Sequence, residues 1–72
     1  MTFTEKLESI GFTINEDGDY ENYINNNIVL VSLFEDGCVG LTIYNEETEK
    51  ETRGAYRSSL PVMRIINKLS SK

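Results

Sequence analysis

Residues 28–44 read IVLVSLFEDGCVGLTIY, two apolar runs joined by Glu35-Asp36-Gly37. Ile and Val are stiff at χ1 and fit the pleated, half-buried surface of a sheet, so residues 28–34 read as a central strand. Glu-Asp-Gly predicts a three-residue loop with glycine in the left-handed conformation, which sets Phe34 opposite Cys38 and makes residues 38–44 the next antiparallel strand. In that register Val29, Val31, Leu33, Val39, Leu41 and Ile43 share one apolar face, the face that must meet helices. The other face takes Ile28, Leu30, Ser32, Phe34, Cys38, Gly40, Thr42 and Tyr44, too apolar a set to be left simply wet. A two-residue Asp-Gly turn would instead move one strand's side chains to opposite faces.

Upstream, Thr2 and Glu5 have capping-box spacing, and Phe3, Leu7 and Ile10 fall on one face of a short helix over residues 2–10. Gly11 suits a left-handed helix end with Phe12 folding back onto the helix. Residues 12–15 alternate apolar and polar, Glu16-Asp17-Gly18-Asp19 signals a turn, and Tyr20-Glu21-Asn22-Tyr23-Ile24 completes a hairpin. Asn25-Asn26-Asn27 breaks the pattern before the central strand. Downstream, residues 45–48 read as a turn and residues 49–56 as a polar strand whose charges suit an exposed sheet edge. Ser58 or Ser59 begins the last helix, with Pro61 in its first turn and Val62, Ile65, Ile66 and Leu69 as its apolar stripe. Lys68 and Lys72 complement the negative end of that helix. The expected fold is α+β: a single domain over residues 1–72, built as a small two-layer sandwich of an N-terminal helix, four to five antiparallel strands and a C-terminal helix packed on the sheet.

Composition narrows the chemistry. The 72 residues carry a net charge of −5, one cysteine and no histidine. One cysteine forms no internal disulfide, and its combination with no histidine removes the common zinc ligand sets, so neither metal nor cofactor is expected. Without histidine the commonest general base is missing, and no phosphate loop or nucleophile elbow occurs, so the expectation is a protein without enzymatic activity. The alternate carboxylates of residues 15–22 resemble a calcium loop only superficially. Tyr20 stands where that loop needs glycine and Asn26 where it needs glutamate. A lone thiol, the absence of a membrane-length apolar run and an N-terminus unlike a signal peptide point to the cytoplasm.

Charge is distributed unevenly. Residues 1–51 hold all twelve carboxylates against Lys6 and Lys50, a balance of −10, whereas residues 52–72 hold Arg53, Arg57, Arg64, Lys68 and Lys72, a balance of +5. The excess of negative charge disfavours direct nucleic-acid binding. Two contact regions stand out. If residues 47–53 are extended, Glu47, Glu49, Glu51 and Arg53 project from one face at intervals of about 6.7 Å, twice the strand rise, with Glu46 just before them. Such a row would suit the basic nucleic-acid groove of another protein, although a solvated edge strand accounts for the same charges. The second region joins Asp17, Asp19, Tyr20, Glu21 and Tyr23, aromatics among carboxylates as at many binding rims, although cross-strand packing is the plainer role for the tyrosines.

In size and charge the chain resembles the small acidic proteins that phages and mobile elements deploy against restriction or CRISPR systems. That resemblance implies an inhibitor that binds a protein partner through the partner's basic surface. Two alternatives stand beside it. One is a homodimer assembled through the mixed sheet face. The other is a nucleic-acid binder using the basic C-terminal part, since helix, strands and helix in that order resemble the double-stranded-RNA-binding domain, whose basic loop and lysine-rich helix start are missing around Ser58, Ser59 and Pro61.

Overall fold

A computed structural model describes residues 1–71; the expected role of Lys72 at the last helix end lies outside them. The order is α1 (Phe3–Ser9), β1 (Thr13–Ile14), β2 (Tyr20–Ile24), β3 (Asn27–Leu33), β4 (Val39–Asn45), β5 (Lys50–Tyr56) and α2 (Ser59–Ser70). All five strands form one antiparallel meander in sequence order, the two-layer α+β arrangement anticipated from the pattern.

The central hairpin has the anticipated register, with Val29 opposite Ile43, Val31 opposite Leu41 and Leu33 opposite Val39. Its loop is a three-residue turn: Gly37 N–H donates to Phe34 O at 3.1 Å, Phe34 N–H to Cys38 O at 3.0 Å, and Gly37 adopts φ 88°. Asp36 Oδ1 accepts the Cys38 N–H at 3.0 Å, which holds the Asp36 carboxyl below its ordinary value. Glu16-Asp17-Gly18 repeats this geometry between β1 and β2, with Gly18 at φ 84°. There Asn15 Oδ1 accepts N–H bonds from both Asp17 and Asp19 at 3.0 Å. Residues 15–19 are therefore organised by backbone turn chemistry.

Between β2 and β3 the break is shorter than the three asparagines suggest. Asn25 and Asn26 alone turn the chain, at φ 47° and 67°, and Asn27 already pairs with Ile24. Positive φ at both central positions matches the twist of a hairpin, and asparagine tolerates it better than other residues bearing a side chain. Asn27 is buried and satisfied: its Oδ1 accepts from Asn45 Nδ2 at 2.9 Å and its Nδ2 donates to Asn25 O at 3.1 Å.

Both helices lie on the odd-numbered face of β3 and β4. Leu7, Phe12, Val29, Val31, Val39, Leu41, Val62 and Ile66 form the buried core, with Tyr20, Ile43, Tyr56 and Leu69 packed around it. Helix α1 begins with a complete capping box. Glu5 N–H donates to Thr2 Oγ1 and Thr2 N–H to Glu5 Oε1. It ends in a Schellman turn, with Phe12 N–H bonded to Leu7 O at 3.0 Å, Gly11 N–H to Glu8 O at 3.2 Å, and Gly11 at φ 105°. That turn corrects the expected apolar face: Ile10 is 42% exposed, because Phe12 folds back and fills the position beside Leu7. Leu33, expected on the covered face, lies 44% exposed at the end of β3. Ser58 holds the N-cap position of α2 with extended backbone but makes no capping hydrogen bond through its side chain.

Leu7→Ala should lower stability by about 2–5 kcal/mol, the cost of a buried cavity, whereas Ile10→Ala should change it by less than about 0.5 kcal/mol; urea unfolding of the two variants checks the contrast. The capping box and the Asp36 loop also set an acid dependence. Both carboxyls sit below their ordinary values of 4.5 and 3.8, Glu5 through the backbone and hydroxyl of Thr2 and Asp36 through Cys38. Their contribution is complete above those values and disappears as pH falls through the lower folded-state values. Glu5→Gln combined with Asp36→Asn should flatten the loss of thermal stability below pH ~4.5 that the parent shows.

Candidate protein-binding face

Strand pairing places Thr13, Glu21, Tyr23, Ile28, Leu30, Ser32, Gly40, Thr42, Tyr44, Glu51, Arg53 and Ala55 on the face away from the core. Among the described residues no helix covers it. Phe34 joins this face: its ring lies over Gly40, where an added Cβ would sit 3.0 Å from Cε2, and the phenylalanine remains 52% exposed. Ile28, Leu30, Cys38 and Tyr44 are half-buried beside it. The two central strands thus mix apolar Ile28, Leu30 and Tyr44 with Ser32 and Thr42, and the charged residues stand on the outer strands.

The tyrosines divide between the two faces. Tyr20 pairs with Val31 and packs against the core, so its expected place in a binding rim is replaced by a structural one. Tyr23, 56% exposed, points the other way and donates to Glu46 Oε1 at 2.5 Å. That bond, then partial desolvation and the charges of Glu46 and Glu47, raise the Tyr23 phenol above its ordinary value. Asn26 Nδ2 donates to Glu47. The contact from Tyr23 to Glu46 joins a residue of each sequence-predicted region, and Glu21 stands on the same face. Asp17 and Asp19 are at the opposite end of the sheet, in the β1–β2 turn.

The extended row of carboxylates does not form. Residues 46–49 are a turn between Asn45 and Lys50, closed by Glu49 N–H to Asn45 O at 2.8 Å, with Glu49 at φ 58°. Asn45 Oδ1 braces it by accepting from both the N–H and the hydroxyl of Thr48. Only Glu51 and Arg53 keep the expected alternation, and they bond each other at 2.7 Å. Glu46, Glu47 and Glu49 therefore form a cluster at one corner of the face. The turn expected over residues 45–48 is thus present and runs through Glu49; its signal is Asn45 three residues before Thr48, a pattern in which asparagine competes for backbone N–H groups.

Where β1 leaves the sheet after two residue pairs, a shallow pocket of about 360 Å³ opens, lined by Gly11, Thr13, Glu21, Asn22, Tyr23 and Ile28. Asn22 forms its rim, with Nδ2 donating to Ile10 O at 3.2 Å and Oδ1 accepting the Tyr23 N–H at 2.8 Å. Sequence reasoning missed Asn22 and Ile28 as site residues, since the pocket exists only because β1 is short. Cys38, half-exposed at the far margin, has its thiol raised above its ordinary value by its bond to Asp36, then by desolvation and the charge of that carboxylate. An unusually reactive thiolate is thus disfavoured there.

No protein-family model matches the chain, and no curated protein and no solved structure shows significant similarity to it. Among the described residues no helix is long and apolar enough to cross a membrane.

Glu46→Gln removes both the carboxylate acceptor and its charge from Tyr23. The Tyr23 phenol should then titrate at lower pH than in the parent, back toward the ordinary tyrosine value. Ultraviolet and NMR titration of the two proteins checks the direction of the change.

Proposed function

We propose that the chain is a non-enzymatic protein-binding module whose uncovered sheet face docks on a basic protein surface. The observation that carries this reading is the combination on one face of Ile28, Leu30, Phe34 and Tyr44 from the central hairpin with Glu21, Tyr23, Glu46 and Glu51 around it. Exposed aromatic and apolar side chains supply most binding energy at protein interfaces, while peripheral charges steer the encounter and select the partner's sign. The pocket beside Tyr23 and Ile28, with Glu21 at its wall, suits a lysine or arginine whose stem lies on apolar surface and whose head meets the carboxylate.

The positive charges support the same orientation. Arg64 and Lys68 are exposed on α2, in the layer opposite the uncovered face, so the molecule is polarised from an acidic sheet face to a partly basic helix. A partner whose basic surface ordinarily receives nucleic acid fits this polarity, as the resemblance to small anti-restriction and anti-CRISPR proteins implies. Because Glu47 and Glu49 lie in a turn, recognition rests on the sign and shape of the face, and regular phosphate-like spacing has no part in it. Assembly through this face into a homodimer is the competing use of the same apolar surface.

The test is affinity capture from a cell extract with the parent, with Glu21→Lys/Glu46→Lys/Glu51→Lys, and with Glu8→Lys/Glu16→Lys as a control away from the face. A partner specific to the parent, with a basic contact surface, should be retained by the control and weakened at least about tenfold by the face variant. Equal retention by both variants would remove the reading. Mobility shift of RNA or DNA at low salt, where electrostatic binding is strongest, would favour the nucleic-acid alternative instead.

A further inference from the structure

The two edges of the sheet are treated differently. Antiparallel strands alternate the residues that bond one neighbour with those that bond the other. Phe34 N–H bonds Cys38 O and Glu46 N–H bonds Asn26 O, so the even positions of β4 bond β3 and its odd positions bond β5. Their partners Lys50, Thr52, Gly54 and Tyr56 therefore direct their backbone groups inward. Glu51, Arg53 and Ala55 direct theirs to solvent.

The same alternation on the other edge turns the backbone of Glu21 and Tyr23 outward, and there the fold intervenes. Thr13 pairs with Glu21, and the Asn22 side chain takes the Tyr23 N–H. Among the described residues edge β5 has no such cover: it is seven residues long, unbroken by proline, and Glu51 and Arg53 are exposed. An unprotected strand of this kind is a template for another strand.

We propose that the occupant is a second copy of β5, paired antiparallel about a two-fold axis at Thr52. Charge complementarity selects both partner and register. Outward-facing residues must oppose one another, which leaves registers two residues apart. Axes at Glu51, Arg53 and Ala55 oppose identical residues, placing like charges together in the first two. The axis at Gly54 opposes Arg53 to Ala55 and would bring Glu51 to Arg57, which lies past the end of β5 and outside the strand ladder. The axis at Thr52 alone sets Glu51 against Arg53 of the second copy, twice by symmetry, with Thr52 meeting Thr52 between them. The Glu51–Arg53 pair of each chain, two in all, is exchanged for two pairs across the axis, so the ion pairs fix the register and the gain is roughly four new backbone hydrogen bonds. Two five-stranded sheets become one of ten strands. The uncovered faces then lie side by side, so this contact leaves the proposed docking face open except for Glu51, which it engages.

Sedimentation equilibrium of the full chain from micromolar to millimolar concentration tests the pairing. The parent should show a reversible dimer. Glu51→Arg alone and Arg53→Glu alone should each weaken it by about tenfold, since two attractive pairs become repulsive, and the double exchange Glu51→Arg/Arg53→Glu should restore it. Their neighbours across β4, Tyr44 and Thr42, are uncharged, so the variants keep the fold, which circular dichroism verifies. Independently of any variant, amide exchange at Glu51 and Arg53 should slow as the parent's concentration rises, while that of Tyr23 stays constant. A monomer at millimolar concentration overturns the proposal. A dimer unmoved by either reversal, unrestored by the exchange, or without concentration-dependent protection of those two amides also overturns it.

Discussion

The three-residue loop at Glu35-Asp36-Gly37 is the constraint on which the rest depends. Gly37 takes a left-handed conformation, and Asp36 holds the Cys38 N–H. Phe34 and Cys38 are thereby opposed, and every odd residue of β3 and β4 is sent to one face. A slip of one residue would turn Val29 and Val31 outward and leave Leu7, Val62 and Ile66 nothing to bury against. In a 72-residue chain, a size at which folding buries only about 60% of the unfolded surface, no second core is available to compensate.

The remaining elements elaborate that parity. Helix α1 is only seven residues long, too short to persist alone, and is held by its capping box, its Schellman end and the burial of Leu7 and Phe12. Helix α2 is anchored at its far end by Asn25 Nδ2, which donates to Leu69 O at 2.6 Å. The β2–β3 turn therefore also satisfies a carbonyl at the helix end, where intrahelical partners run out. With both helices on one side, the opposite face has no layer from this chain within residues 1–71.

Much of this was legible in the sequence because it is written in local chemistry. Thr2 with Glu5, Gly11 with Phe12, and both Glu-Asp-Gly loops specify their conformations within a few residues, and the observed backbone follows them. The candidate site was less legible because it depends on parity across turns without such signatures. Asn25-Asn26-Asn27 announces a turn but not its length, and only a two-residue turn sends Tyr20 into the core and Tyr23 out. Glu49 at φ 58° has neither the glycine nor the asparagine that would have marked it. Thus the turn expected over residues 45–48 reaches one residue further, and the acidic row is a corner in space. The short reach of β1, which opens the pocket at Asn22 and Ile28, follows from the path of the chain out of α1 and has no local marker.

Net charge is a weaker guide to function than the arrangement of side chains, because part of the acidity belongs to the fold. Asp36 holds its loop, Glu5 completes a capping box, and Glu16-Asp17-Gly18 occupies the same turn geometry as Glu35-Asp36-Gly37. Glu21, Glu46 and Glu51 differ, since no backbone N–H depends on their carboxylates among the described residues. Burial likewise makes no demand for Tyr23 and Phe34 in their exposed positions. Residues that folding does not require, gathered on one face beside an apolar centre, are better evidence of a partner than a pI of 4.5. The change of sign near Arg53 is resolved in the same way: carboxylates border the uncovered sheet face, where Arg53 is paired with Glu51, whereas Arg64 and Lys68 follow α2 to the other side of the sheet.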